Sequence, residues 1–105
     1  MLLVEPMCID FSKHANSGFS AVQIIIYEVI EQSEKRLSLV FGKIPLDEGY
    51  VISVLREIAY VLSMDYSIVK NEFDKLVKKG QIHQCMDRSR KAFYIDENFD
   101  SKTED

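Results

Sequence analysis

Residues 56–95 constrain the fold of this 105-residue chain more than any other stretch. Apolar residues recur there at helical spacing up to Gly80, except at residues 63–65, and two short apolar segments then flank a basic turn. Lysines before Gly80 suit the negative end of a helix dipole, and glycine readily takes the left-handed conformation that follows a helix. The pattern predicts a helix, a tight turn, a second helix that ends at Gly80, and two strands.

The composition is that of one domain, long enough to bury a core without disulfides or metals. No apolar run reaches the roughly 18 to 20 residues of a membrane span, and the first residues lack the basic start of a signal peptide. We therefore expect a cytoplasmic protein without membrane contact. Cys8 and Cys85 lack the spacing of a metal or redox motif, so we expect free thiols.

Charge is strongly segregated along the chain, although the net charge is -4. Residues 1–69 carry five Lys and Arg against nine Asp and Glu, a net charge of -4. Residues 70–91 carry seven against three, a net charge of +4, and residues 92–105 carry one against five. Because phosphate binding depends on the local field, the acidic total does not exclude a nucleic-acid partner.

We expect three parts: an N-terminal arm over residues 1–19, a domain over residues 20–95, and an acidic tail over residues 96–105. The arm holds either a short strand or irregular chain. The tail is short and poor in core-forming residues, so disorder is its default state. It has either a solubilising role or a role in contacting a basic partner, including the basic face of the chain itself.

The first helix of the domain is predicted to begin at Ser20, which forms the capping-box pattern with Gln23. Apolar residues then extend past one helical stripe, because residues 24–27 read Ile-Ile-Ile-Tyr. Two interpretations remain open. Either Ile24 and Tyr27 contact a second copy of the chain in a homodimer, or the helix is central and its own chain covers it on both sides.

Periodicity does not decide the structure of residues 37–41. Their alternating leucines and phenylalanine fit either a strand that pairs with the later hairpin or a continuation of the first helix. Pro45 then requires a loop, and Asp47 is a suitable N-cap for the next helix. The apolar positions of that helix keep helical spacing and are Val51, Val54, Leu55, Ile58, Ala59 and Leu62.

The second helix of the pair is predicted to have Asp65 as its N-cap. Ser63 lies in the preceding turn, where glycine takes a positive φ most easily. The inward-facing positions of this helix are either Ile68 or Val69, together with Phe73, Leu76 and Val77. Strands are predicted over residues 82–86 and 92–95, with a hairpin tip over residues 87–91.

The exposed face of the second helix and the hairpin tip carry side chains suited to DNA. Hydroxyl and amide groups can hydrogen-bond to base edges, and ammonium groups can reach guanine or phosphate. Arginine at a hairpin tip can lie along phosphates or enter a narrow minor groove. Asp74 is an exception, and we expect it to pair with Lys70 or Lys78 at i,i+4 spacing. The candidate DNA contacts are Tyr66, Ser67, Lys70, Asn71, Lys75, Lys78, Arg88, Arg90 and Lys91.

Four segments of the chain resemble winged helix-turn-helix proteins, particularly small dimeric bacterial regulators. They are Leu-Arg-Glu-Ile-Ala at residues 55–59, the following Met-Asp, the Lys-Gly-Gln-Ile after the second helix, and the basic tip. The first helix, Ala-Val-Gln-Ile-Ile-Ile, and the tip, Arg-Ser-Arg-Lys before an aromatic strand, are similar to centromere-binding adaptors of tubulin-type plasmid partition systems. The resemblance covers about residues 20–95.

The resemblance implies an α+β fold, mainly helical, with a small antiparallel β-hairpin as its wing. It implies a homodimer that binds double-stranded DNA sequence-specifically, either as a transcriptional regulator or as a partition adaptor. An adaptor would also contact a filament-forming tubulin-like GTPase. The acidic total and Asp74 support an alternative, in which the chain is a winged-helix module that binds proteins and not DNA.

No motif in the sequence predicts catalysis, a cofactor or a metal. The glycines at positions 18, 42, 49 and 80 are isolated and form no phosphate-binding loop. His14 and His83, the two histidines, lack the spacing of a metal site or of a nucleophile with its base. We expect a protein that is not an enzyme.

Overall fold

The computed structural model describes residues 11–14, 16, 18–42 and 44–95. These residues form three α-helices, α1 (Ala21–Phe41), α2 (Glu48–Leu62) and α3 (Tyr66–Lys78), after a 3-10 turn at Phe11–His14. They also form three strands, β1 (Leu46–Asp47), β2 (His83–Asp87) and β3 (Arg90–Tyr94), in one antiparallel sheet of order β1-β3-β2. The α+β class is confirmed. Residues 1–10 and the tail over residues 96–105 lie outside the described residues.

The predicted start of α1 is confirmed in atomic detail. Ser20 Oγ accepts a hydrogen bond from the backbone N–H of Gln23 at 3.2 Å, and Gln23 Oε1 accepts one from the Ser20 N–H at 3.0 Å. The helix then continues through residues 37–41, which settles the choice between strand and helix. It ends where Gly42 takes a φ of +82° and donates its N–H to the Ser38 carbonyl.

Helix α2 begins at the predicted cap, because Asp47 Oδ2 accepts a hydrogen bond from the Gly49 N–H at 2.8 Å. Its predicted core positions are buried, except Leu62, which is partly buried. Ser63 takes the left-handed conformation with a φ of +54°, as the turn requires, and the Met64 N–H returns to the Ala59 carbonyl. Asp65 stands at the N-cap of α3, but its side chain makes no capping hydrogen bond.

Helix α3 buries Val69, Phe73 and Leu76, whereas Ile68 is exposed, which decides between the two inward positions that the sequence allowed. The helix ends near Gly80 as predicted. Gly80 has a φ of +77°, and the Gln81 N–H bonds to the Leu76 carbonyl at 3.0 Å, which is the hydrogen bond of a Schellman motif.

The hairpin turn is shorter than the predicted tip of residues 87–91. Only Arg88 and Ser89 form the turn, with φ values of +55° and +68°, and Asp87 already pairs with Arg90 in the sheet. Positive φ at both central residues is the requirement of a type I′ turn, whose twist suits two-residue hairpins. The strands therefore reach further towards the tip than the distribution of apolar residues indicates.

Strand β1 was not predicted. Leu46 pairs with Phe93 and Asp47 with Ala92, which makes β3 the central strand of the sheet. Two residues have no measurable period, so this strand leaves no signal in the sequence. Leu46 is nevertheless fully buried and belongs to the core.

One core joins the helices to the inner face of the sheet. The rings of Phe73 on α3 and Phe93 on β3 meet edge to face, with centroids 5.1 Å apart. Two polar contacts also tie α1 to the rest of the chain. Gln23 Nε2 donates to Glu72 Oε1 at 3.0 Å, and Glu34 Oε2 accepts from the Ile95 N–H at 3.0 Å. The largest fully buried side chains are Phe73, Ile26, Ile30, Leu46, Leu55, Ile58, Leu76 and Ile82.

The exposed apolar surface lies elsewhere than expected. Ile24 is only 7 % exposed within one chain, and Tyr27 is partly buried against the rings of His14 and Phe19. Its own chain therefore covers most of Ile24, whereas contact of Tyr27 with a second copy stays a prediction. No helix among the described residues is both long and apolar enough to cross a membrane.

The left-handed Ser63 generates a stability prediction. We expect Ser63→Gly to raise the free energy of unfolding by up to about 1 kcal/mol, because relief of the left-handed strain exceeds the added unfolded-state entropy. Ser63→Val should lower it by about 1 to 3 kcal/mol, since a branched side chain opposes a positive φ. Urea unfolding of both variants measures the difference. A glycine variant less stable than the valine variant would contradict the assignment of strain to this turn.

Candidate nucleic-acid interface

The solvent side of α3 carries a polar groove. Because Val69, Phe73 and Leu76 face the core, the opposite side of the helix is left to solvent. The groove is shallow, has a volume of about 570 Å³ and is lined by Tyr66, Ser67, Ile68, Lys70, Asn71 and Asp74. Hydroxyl, amide, ammonium and carboxylate groups therefore lie together on one face, as the helical spacing predicts.

A narrower cleft of about 320 Å³ lies between α2, α3 and the sheet. Lys70 and Lys78 of α3 and Lys91 of β3 line it, together with apolar side chains of α2, α3 and β3 and the carboxylates of Glu48 and Asp74. Lys70, Asn71 and Asp74 border both this cleft and the α3 groove, so they form the ridge between the two. The fold thus brings a hairpin cation, Lys91, to the same surface as two cations of α3.

The hairpin turn adds further positive charge at the edge of this surface. Arg88 and Arg90 are both exposed. Arg90 Nη1 lies 3.7 Å from Asp47 Oδ1, a long and solvent-screened ion pair of little energetic weight. Neither guanidinium is therefore committed to a strong internal contact, and both are accessible to an anionic partner.

Two of the predicted cations are paired with acids on their own helix. Lys70 Nζ contacts both carboxylate oxygens of Asp74, at 2.9 Å and 3.2 Å, which confirms Lys70 rather than Lys78 as the partner of Asp74. Lys75 Nζ lies 3.3 Å from Glu72 Oε2 and borders neither the groove nor the cleft. The structure therefore does not bring Lys75 together with the other candidates.

Arg56 is a residue of this surface that the sequence interpretation missed. Its guanidinium lies over the ring of Tyr66, 4.9 Å from the centroid, in cation–π geometry. Tyr66 is partly buried against the core and holds a cation of α2 beside the first turn of α3. The two residues are ten positions apart on different helices, and local periodicity gives no indication of such a contact.

Both histidines contact side chains of the same chain. His14 Nε2 lies 2.6 Å from Glu28 Oε2, where Glu28 is buried and His14 is partly buried. His83 packs beside Tyr94, with ring centroids 5.0 Å apart. Among the residues that the structure describes, no three His, Cys, Asp or Glu side chains are grouped so that they could hold a metal ion.

The pKa of the Cys85 thiol on β2 depends on its position in the hairpin. Partial burial raises the pKa of its thiol above the ordinary value, and the negative charge of Asp87 raises it further. Both causes disfavour the thiolate, which is the reactive form of cysteine.

Comparison of the chain with protein-family models, with curated proteins and with solved structures found no match.

The raised pKa of Cys85 generates a prediction about alkylation. At pH 8 we expect iodoacetamide to modify Cys85 more slowly than a cysteine in an unstructured peptide, because less thiolate is present. Asp87→Asn removes one of the two causes and should increase the rate, whereas Asp74→Asn, on a different element, should leave it unchanged. Peptide mapping by mass spectrometry separates Cys85 from Cys8. Equal acceleration by both variants would contradict the assigned cause.

Proposed function

We propose that this chain is a winged helix-turn-helix protein that binds double-stranded DNA in a sequence-specific manner as a homodimer. Its role is that of a transcriptional regulator or of a partition adaptor that also contacts a tubulin-like GTPase. The observation that carries the proposal is the convergence of Lys70, Lys78 and Lys91 on one cleft, beside the polar groove of α3. Cations from a helix and from a hairpin thereby act on the same partner.

The order of elements supports this proposal. Helix α2 leads through a three-residue turn into α3, and the hairpin follows α3 directly. In helix-turn-helix proteins the second helix lies in the major groove and the first crosses the backbone. Helix α3 has 13 residues and is therefore about 20 Å long, and the major groove is about 12 Å wide and accepts a helix. Ser67 and Asn71 would meet base edges, and Arg56 of α2 the backbone.

The distribution of the acids also supports a DNA partner. Glu28 and Glu34 of α1 are buried and bonded to His14 and to the Ile95 N–H, respectively. Part of the negative charge in residues 1–69 therefore lies on α1, bonded within the chain, and not on the exposed face of α3. The surface formed by α3 and the hairpin has a more positive field than the total charge of -4 indicates.

The exposed end of α1 supports the homodimer. Leu39, Val40 and Phe41 are 86 %, 74 % and 62 % exposed and follow one another on the last turn of the helix, with Ile44 also exposed after it. Several large exposed apolar side chains at one end of a helix are typical of interfaces. Residues 37–42 contain no charge, so two copies of this end can pack together without burying an unpaired ion. The same surface is the basis of the alternative function, a winged-helix module that binds another protein and not DNA.

DNA binding generates the first functional prediction. The protein should bind a duplex with an affinity that falls steeply as salt rises, since the binding of phosphates releases counterions. Lys70→Ala and Arg90→Ala should each weaken binding, and Arg90→Ala, which removes a phosphate-binding cation, should also lower the salt slope by about 1. Fluorescence anisotropy with duplexes selected from a randomised pool measures both the affinity and the salt slope.

Lys35→Ala provides the matched control, because Lys35 is an exposed cation of α1 and borders neither the groove nor the cleft. It should change affinity much less than the two test variants. Absence of any duplex binding at low salt would favour the protein-binding module. Tandem repeats and a tubulin-like GTPase gene beside this one would favour partition, and a lone inverted repeat would favour regulation.

The homodimer generates a second prediction. Leu39→Glu places a charge in the exposed apolar end of α1 and should convert a dimer into a monomer, because the charge cannot be buried without a partner. Light scattering coupled to size exclusion measures the mass. Ala21→Glu, an equivalent change at the exposed start of the same helix, should leave the dimer intact. A dimer that survives Leu39→Glu would place the interface elsewhere.

A further inference from the structure

An ion pair stands at the centre of the exposed face of α3. Lys70 Nζ lies 2.9 Å from Asp74 Oδ1 and 3.2 Å from Oδ2, and the two side chains are 37 % and 50 % exposed. Both belong to the ridge between the groove and the cleft, with Asn71 beside them. Asp74 repels phosphates, although its ion pair with Lys70 reduces that repulsion. Because both groups stay partly exposed, Asp74 can also contact a base edge.

We propose that Lys70 and Asp74 together read one G·C base pair in the major groove, so that Asp74 is a specificity-determining residue. In the major groove guanine presents two acceptors, N7 and O6, and cytosine presents one donor, the N4 amino group. An ammonium group donates to the first two, and a carboxylate accepts from the third. The inference rests on the proposed DNA binding and specifies which base pair α3 selects.

The spacing of the ion pair matches that of the base pair. Guanine O6 and cytosine N4 are hydrogen-bonded to each other, so they lie about 2.9 to 3.0 Å apart. The Lys70 Nζ to Asp74 Oδ1 distance is 2.9 Å. The ammonium has three donors and the carboxylate about four acceptor positions, so both retain capacity after they bond to each other. The pair can therefore bind the base edges as it stands, without first breaking.

The same arrangement rejects an A·T base pair. There the donor, adenine N6, lies between two acceptors, adenine N7 and thymine O4. A carboxylate that approaches N6 therefore also meets an acceptor, which repels it. In the G·C pair the cytosine N4 donor is the last polar group of the pattern, with no acceptor beyond it. Asp74 thus contributes discrimination even though its charge lowers affinity for phosphate.

The test is selection of duplexes from a randomised pool by the full-length protein, followed by anisotropy titrations of the selected site. One position should be a G·C pair, and its replacement by A·T should weaken binding about fivefold or more. Asp74→Asn should remove most of this preference, because an amide can also donate and suits adenine. Lys70→Gln should do the same, and the double variant should lose little more, since residues that act as a unit are not additive.

Asp87→Asn is the control, because Asp87 is an exposed acid of the hairpin outside the α3 ridge. It should strengthen binding to all duplexes by a similar factor and preserve the G·C preference. If Asp74→Asn behaves in the same way, Asp74 lowers affinity only through its charge, and the inference is overturned while DNA binding stands. If the wild-type protein selects no duplex at all, the proposed function fails and the inference fails with it.

Discussion

The contact between Phe73 of α3 and Phe93 of β3 is the interaction on which the candidate surface depends. The two rings meet edge to face at 5.1 Å in the core, an arrangement that aromatic pairs favour. Since Lys70 and Asp74 project from the helix that carries Phe73, and Lys91 from the strand that carries Phe93, this contact sets their mutual position. The side chains of a DNA-binding surface need such support, because binding geometry is lost when helix and hairpin move independently.

Helix α1 supplies the second constraint from the opposite side. Gln23 completes the capping box at its start and also donates to Glu72 of α3, so one buried amide connects two helices. Glu34 holds the end of β3 through the Ile95 N–H. Buried polar groups are costly unless they are hydrogen-bonded. These two side chains therefore hold α1 in one orientation relative to α3 and the sheet, and they leave the far end of α1 as exposed apolar surface.

On α3 and around the hairpin, cations lie beside acids. Asp74 lies against Lys70, Glu72 against Lys75, and Asp47 at a longer distance from Arg90. Exposed pairs of this kind contribute little to folding stability. In the proposed function they would lower the non-specific attraction for phosphate, so that the fit of α3 to base edges would decide which duplex is bound. This is the physical reason why an acid is compatible with the proposed function.

Local chemistry allowed much of this structure to be predicted. Helix ends and turns depend on neighbouring residues alone, and the sequence places four of them correctly. They are the capping box at Ser20, the N-cap at Asp47, the turn at Ser63 and the helix end near Gly80. The buried positions of α2 and α3 follow from helical spacing, and so does the polar composition of the exposed face of α3. Other features depend on contacts between residues that are distant in sequence, and no local pattern predicts them. These features are strand β1, the burial of Ile24 and the contact between Arg56 and Tyr66.

The sequence by itself therefore determined where each helix begins, where α2 and α3 end, and which face of α2 and of α3 is apolar, because these properties arise within a few residues. The tertiary structure alone decided which cations share a surface. It separated Lys75 from the cleft, brought Lys91 to α3, and covered Ile24 while it exposed the end of α1. The choice of Lys70 over Lys78 as the partner of Asp74 also required coordinates, since both lysines have the same spacing and only the side-chain positions distinguish them.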